Sequence, residues 1–217
     1  MDKASKLTLI RESGIIAILR TQSPDRLIDA AEAIFQGGVR VVEVAMTTPN
    51  ALQVIERAAS HFSDEILFGV GSVLDPETAL LAILAGAGFV VTPCLKTSTI
   101  ELCGRYNTPV IPGCLTPTEI LTAWENGADL VKVFPADLGG PKYIRAMRAP
   151  LPLVEVVPVG GVDLTNTAQY FRAGAVAVGV GSSLVTQSLI DEGAMNQLTQ
   201  RASAFMTEMN RGRNELS

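Results

Sequence analysis

The sequence predicts an α/β fold, specifically a (β/α)8 TIM barrel with an extra N-terminal helix, built as a single domain over residues 1–217. Three observations predict it. Short β-branched apolar runs recur along the whole chain. Helix-start signals fall between them. A glycine closes several of the helical patterns just before the next apolar run begins.

The runs are Gly14–Leu19, Val39–Val44, Ile66–Val70, Phe89–Thr92, Val110–Ile111, Leu130–Phe134, Val154–Val159 and Val176–Val180. They are mostly apolar on both faces, which suits strands of a parallel sheet covered by helices on its outer side. Between them, Ser23, Pro24 and Asp25 open a helix, as do Thr48, Pro49 and Asn50, then Asp75, Pro76 and Glu77, and Thr116, Pro117, Thr118 and Glu119. Each start joins a capping-type side chain to a proline whose fixed φ suits the first helical turn. The segments "GGVRVVEV", "GAGFVVTP", "GADLVKVF" and "GAVAVGVG" share one grammar, a closing glycine (Gly38, Gly86, Gly127, Gly174) followed by a strand. An open doubly wound sheet is the competing architecture. The barrel is preferred because every run is followed by a helical pattern and no Gly-x-Gly-x-x-Gly turn follows the first run. An additional helix is expected at Lys3–Arg11, and the last helix at Ser188–Met209.

Composition narrows the function classes. Hydrophobic residues make up 47% of the chain, enough for a sizeable core, and the net charge of −5 with no clustered Lys or Arg argues against a nucleic-acid partner. The longest apolar run, Ala79–Val91, is short of the ~20 residues that span a bilayer, and the N-terminus lacks the apolar core of a signal peptide. The three cysteines, Cys94, Cys103 and Cys114, form no CxxC pair, so a reducing cytoplasm is expected and a disulfide framework is not. His61 is the sole histidine and is read as solvated surface in a helix-to-strand connection, so no histidine-rich metal site and no cofactor are expected. Trp124 is read as packing; Cys94 and Cys114, near strand ends, are read as inert core residues or pocket lining.

In a barrel of this kind the chemistry sits where strands end and βα loops begin. The polar residues there include Arg20, Ser72, Thr116 and the "TPC" segment around Pro93. Glu43 and Lys132 stand apart because both lie inside apolar strands, the second and sixth, which face each other across an eight-stranded barrel. Two readings are open. One is structural: a buried ion pair, or a lysine snorkelling outward. The other is catalytic. A desolvated lysine loses part of its preference for the charged form, and the free amine attacks a carbonyl to give a Schiff base. The iminium then accepts electrons from a breaking carbon–carbon bond, with Glu43 moving the proton. A neighbouring glutamate raises a lysine pKa while burial lowers it, and the sequence leaves that balance open.

Two glycine clusters, "PVGGVD" and "GVGSSL", follow the seventh and eighth runs, placing Gly160, Gly161, Gly181 and Ser182 where this fold commonly binds phosphate through bare N–H groups. Arg20 offers a fork of donors to a carboxylate or phosphate. Phe134, which with Pro135 ends the lysine run, would close the mouth over a substrate. An isomerase or epimerase on the same barrel, and a non-catalytic phosphate-ligand binder, are the alternatives from other classes.

With these residues in view, the chain resembles the 2-keto-3-deoxy-6-phosphogluconate (KDPG) and 4-hydroxy-2-oxoglutarate (KHG) aldolase family. The segments "GGVRVVEV", "GVGSVLDP", "VTPCL", "IPGCLTPTE", "LVKVFPA" and "GGV" carry the likeness, which spans nearly the whole chain. The resemblance implies a class I lyase with Lys132 as the Schiff-base lysine and Glu43 as the proton carrier. It implies Ser72 at the pyruvate carboxylate, with a hydroxyl where the family usually has threonine, and Gly160, Gly161, Gly181 and Ser182 at the phosphate. It also implies a homotrimer acting on a phosphorylated 2-keto-3-deoxy sugar acid and on pyruvate. Two departures are visible. Thr47 stands where many members carry arginine, which passes the carboxylate role to Arg20. Val159 precedes the Gly-Gly pair, as in galactonate-type rather than gluconate-type members, so the epimer preference at C4 is open.

Overall fold

The computed structural model describes residues 1–215. In chain order its elements are α1 (Lys3–Ser13), β1 (Ile15–Leu19), α2 (Leu27–Gln36), β2 (Val41–Ala45), α3 (Ala51–Phe62), β3 (Leu67–Gly71), α4 (Pro76–Leu84), β4 (Val90–Val91), α5 (Thr97–Arg105), β5 (Val110–Ile111), β6 (Gly113–Cys114), α6 (Pro117–Glu125), β7 (Val131–Val133), α7 (Gly140–Arg148), β8 (Val156–Pro158), α8 (Thr167–Arg172), β9 (Val178–Val180), α9 (Gln187–Asp191) and α10 (Met195–Asn214). The class is α/β, and every strand pairing is parallel.

The strands fall in two sheets, one of order β5-β4-β3-β2-β1-β9 and one of order β6-β7-β8. Among the described residues the sheets meet through one parallel bridge, Val159 to Gly179, and through the chain itself between β5 and β6. The fifth run expected from the sequence, Val110–Ile111, is β5, and β6 is a further short strand that the sequence reading did not include. Pro112 separates the two, because proline brings no N–H to the ladder. Beyond the break, Gly113 N–H donates to the Thr92 side chain at 3.2 Å instead of to a backbone carbonyl.

Strand alternation sorts the side chains into two layers. Ile15, Ala17 and Leu19 of β1, Val42 and Val44 of β2, and Val131 and Val133 of β7 join the large outer core beneath the helices. Ile16, Val41, Leu67, Phe89, Val91, Ile111, Leu130 and Val157 form a separate inner core, with Leu9 and Ile10 of α1 packed into it. The N-terminal helix thus seals the inner core, and each fully buried Ile, Leu or Val there contributes roughly 1.5–3 kcal/mol. The parity has a functional consequence. Glu43 shares the inward face with Val41, and Lys132 shares it with Leu130.

The helix-closing glycines behave as their sequence grammar implies: Gly38, Gly86, Gly127 and Gly174 have φ of 98°, 102°, 89° and 97°, the left-handed region that a Cβ disfavours. Three expectations need correction. The last helix is two, because Gly193 at φ 68° separates α9 from α10. Trp124 is 43% exposed on α6 rather than packed. His61 is exposed as expected, but in the last turn of α3 rather than in a connection. Among the described residues, no helix is long and apolar enough to cross a membrane.

Candidate active site

A cavity of about 610 Å³ opens at the C-terminal ends of the strands. Ten of the residues singled out in the sequence line it: Arg20, Glu43, Ser72, Lys132, Phe134, Val159, Gly160, Gly161, Gly181 and Ser182. Two do not. Thr116 is spent on α6, where its side chain accepts from Glu119 N–H at 3.3 Å in a capping box whose other half is Glu119 accepting from Thr116 N–H at 2.8 Å. Pro93 lies outside the lining, and its backbone is packed where a Cβ on Gly113 would be. Cys94 is exposed and Cys114 buried, and neither lines the cavity.

Thr21, Gln22, Ser183 and Thr186, from the loops after β1 and β9, and Gln187, which opens α9, also line the cavity, beyond the strand ends at which the sequence pointed to site residues. The available signal was the polar run in "RTQS" and "GSSLVTQS", just past the strands that carry Arg20 and Gly181.

Lys132 and Glu43 are each only 4% exposed, yet among the described residues neither side chain has a hydrogen bond or a direct ion pair. The buried ion pair is therefore not formed, and the lysine points inward rather than snorkelling between helices. Burial pushes the lysine below its ordinary range; Glu43 opposes that shift and Arg20 adds to it. Burial likewise pushes Glu43 up, against the pull of Lys132 and Arg20. Desolvation is the larger influence on both, so burial eases loss of the proton from Lys132 and retention of one on Glu43 relative to the groups in water. The Phe134 ring centroid lies 4.8 Å from Lys132 Nζ and screens it from water on one side.

Glycines shape the rest. Gly71, at the end of β3, leaves the space that the Glu43 carboxyl group occupies. Gly160 and Gly161 have φ of 97° and 68°, and Asn166 holds this turn by donating to Gly161 C=O at 2.8 Å. A Cβ at Gly181 would meet open space, so the backbone there is reachable from the cavity. These bare amides beside Ser182 suit an anion. Arg20 is exposed at the same mouth and carries no ion pair among the described residues. No three His, Cys, Asp or Glu side chains among the described residues gather as a metal site.

A buried lysine and a buried carboxyl group on one cavity, with glycine turns at its rim, match the equipment of an aldolase, a carbon–carbon lyase. The comparisons carry this further. The family described as KDPG and KHG aldolase matches residues 7–201. The 2-dehydro-3-deoxy-6-phosphogalactonate aldolase of Escherichia coli (strain K12) is 36% identical over 193 residues, covering 88% of this chain and 92% of that protein. The 2-dehydro-3-deoxy-phosphogluconate aldolase of Pseudomonas aeruginosa is 31% identical over 192 residues, 88% of this chain and 87% of that protein. A crystal structure of KDPG aldolase from Legionella pneumophila, with pyruvate captured as a covalent carbinolamine intermediate, superposes with a TM-score of 0.86 at 28% identity, over 92% of this chain and 97% of that one. The chain belongs to the KDPG and KHG aldolase family and is an aldolase.

Proposed function

We propose that this protein is a class I aldolase that cleaves a phosphorylated 2-keto-3-deoxy sugar acid to pyruvate and glyceraldehyde 3-phosphate through a Schiff base on Lys132. One observation carries the reading: Lys132 and Glu43 are buried, unpaired and open to the same cavity. Holding two ionisable groups largely out of water and without direct partners costs stability, a cost that chemistry accounts for and packing does not.

The steps follow from the environment. The neutral Lys132 amine adds to the C2 carbonyl of the substrate, giving a carbinolamine, which loses water to form an iminium. Glu43, as carboxylate, takes the proton of the C4 hydroxyl. The C3–C4 bond breaks, its electron pair moves into the iminium to form an enamine, and glyceraldehyde 3-phosphate departs. The raised pKa lets Glu43 keep that proton long enough to return it to C3. Hydrolysis of the resulting iminium releases pyruvate and restores the lysine. Arg20 and the Ser72 hydroxyl hold the substrate carboxylate, Phe134 shields the imine, and Gly160, Gly161, Gly181 and Ser182 receive the phosphate.

The first substrate reading is 2-keto-3-deoxy-6-phosphogluconate, with 4-hydroxy-2-oxoglutarate as a smaller one. A second reading, 2-keto-3-deoxy-6-phosphogalactonate, is favoured by Val159 at the cavity wall and by the name of the Escherichia coli relative. We further take residues 1–217 as one barrel domain in which β5 and β6 are two halves of one strand, working as a cytoplasmic homotrimer without a cofactor. The test is pyruvate release from each epimer, coupled to lactate dehydrogenase, for wild type, Lys132→Met and Glu43→Gln. Release by wild type, abolished by Lys132→Met, is expected. A phosphosugar isomerase or a non-catalytic binder would release no pyruvate.

A further inference from the structure

The loop that carries Arg20 has an anchor that the proposed chemistry does not use. Arg20 makes no ion pair among the described residues, so its guanidinium is placed by the backbone of the loop after β1. That loop is tied to the far end of the chain. Gln187, the first residue of α9, accepts from Gln22 N–H through Oε1 at 2.8 Å. Through Nε2 it donates to Asp191 Oδ1 at 2.7 Å and to Ser23 Oγ at 3.3 Å. Ser23 Oγ in turn donates to the same Asp191 oxygen at 2.7 Å. Both ends of the Gln187 amide are used, one fixing the loop backbone and the other locking the amide's own orientation. The Gln22–Gln187 bond spans 165 residues of sequence, joining the first βα loop to the last. Gln187 also borders the cavity next to the Gly181 and Ser182 corner.

We propose that Gln187 is a positioning residue, which with Asp191 and Ser23 fixes the Arg20 loop so that the guanidinium meets the substrate carboxylate. The inference rests on the reading of Arg20 as the carboxylate site. Gln187 itself touches no reacting atom in this account. Its side chain acts by bonding the Gln22 N–H, the tie from this loop to α9, beside the local bonds of Thr21 N–H to Thr48 and Ser23 N–H to Thr21. Because Arg20 is assigned to the carboxylate and not to the reacting carbons, the effect is expected in pyruvate binding. Asp191 serves as an acceptor only, so an asparagine whose Oδ1 takes the same place keeps the lock, while an alanine breaks it.

Borohydride trapping with pyruvate alone reads this without the phosphate end of the substrate. Gln187→Ala and Asp191→Ala are each expected to raise the pyruvate concentration that half-saturates trapping by about 5- to 10-fold, the loss of one or two net hydrogen bonds. Asp191→Asn is expected to stay within about 2-fold of wild type on the same ground. Adduct yield at saturating pyruvate is expected to be unchanged in all three, with thermal unfolding confirming that each variant is folded. In the Arg20→Ala background, Gln187→Ala is expected to add nothing further, since it acts through Arg20. Half-saturation unchanged in Gln187→Ala, or full additivity with Arg20→Ala, would overturn the positioning role while leaving the aldolase reading intact. Absence of any adduct in wild type would instead remove the reading on which the role rests.

Discussion

The Glu43 carboxyl group rests against Gly71, where a Cβ would come within 2.7 Å of Glu43 Cδ and closer still to Oε1. A buried acid is thus held at the end of β3 by the absence of a side chain. Alanine at 71 forces the carboxyl group aside, and a shift of about 1 Å in a proton-transfer group costs up to about 100-fold in rate. Gly71→Ala is expected to lower kcat for aldol cleavage by about 10- to 100-fold while the Lys132–pyruvate adduct still forms. Steady-state kinetics beside adduct mass measurement checks both halves.

Burial of Lys132 carries a stability cost with a defined pH dependence. The native lysine loses its proton at lower pH than the unfolded one, whose value is near 10.5. Between those two values the unfolded chain binds more protons, so stability rises with pH through that window. The cost is full below the native value and gone above the unfolded one. Lys132→Met, which fills the same space without a charge, is expected to raise Tm at pH 7 by ~2–4 °C. The gain is expected to shrink as pH approaches the ordinary lysine range. Thermal unfolding across pH reads it, and a gain that grows with pH would contradict the desolvation argument.

Val159 lies 7% exposed at the cavity wall and against Gly179, where a Cβ would come within 2.7 Å of Val159 Cγ2. A hydroxyl introduced there offers a hydrogen bond to one C4 epimer and not the other. Val159→Thr is expected to raise the gluconate-to-galactonate ratio of kcat/KM by about 10-fold, the scale of one modest polar contact. Assaying both epimers on both proteins gives the ratio directly.

Ser182 sits at the corner assigned to phosphate, far in role from the lysine. Ser182→Glu places a negative charge there, and like charges in a shared site repel. KM for the phosphorylated substrate is expected to rise by at least about 10-fold, since a charge-assisted contact is lost as well. Half-saturation of pyruvate trapping is expected to be unchanged. Comparing the two substrates on one variant separates the phosphate corner from the carboxylate site.

Local physics made much of this legible from sequence. The closing glycines Gly38, Gly86, Gly127 and Gly174 announced strands because a left-handed helix terminus requires them. The inward parity of Glu43 and Lys132 follows from strand alternation alone. What stayed hidden depended on contacts between distant segments. Nothing near Gly71 in the chain says that a carboxyl group needs its missing Cβ, and Gln187 meets Gln22 only once the first and last loops converge. Thr116 looked like a site residue because it ends a strand, but the same hydroxyl was needed for the capping box of α6. Trp124 looked like core on hydrophobicity, yet it stands on the open face of its helix. The short strand Gly113–Cys114 beyond Pro112 was missed because two residues, one of them glycine, carry no strand pattern of their own.

The central claim is that Lys132 is the nucleophile. The most direct measurement is peptide mapping of the protein reduced with borohydride in the presence of pyruvate. The account expects one pyruvate-derived adduct per chain, on the peptide containing Lys132 and absent in Lys132→Met. No adduct, or an adduct on another lysine that persists in Lys132→Met, would contradict it.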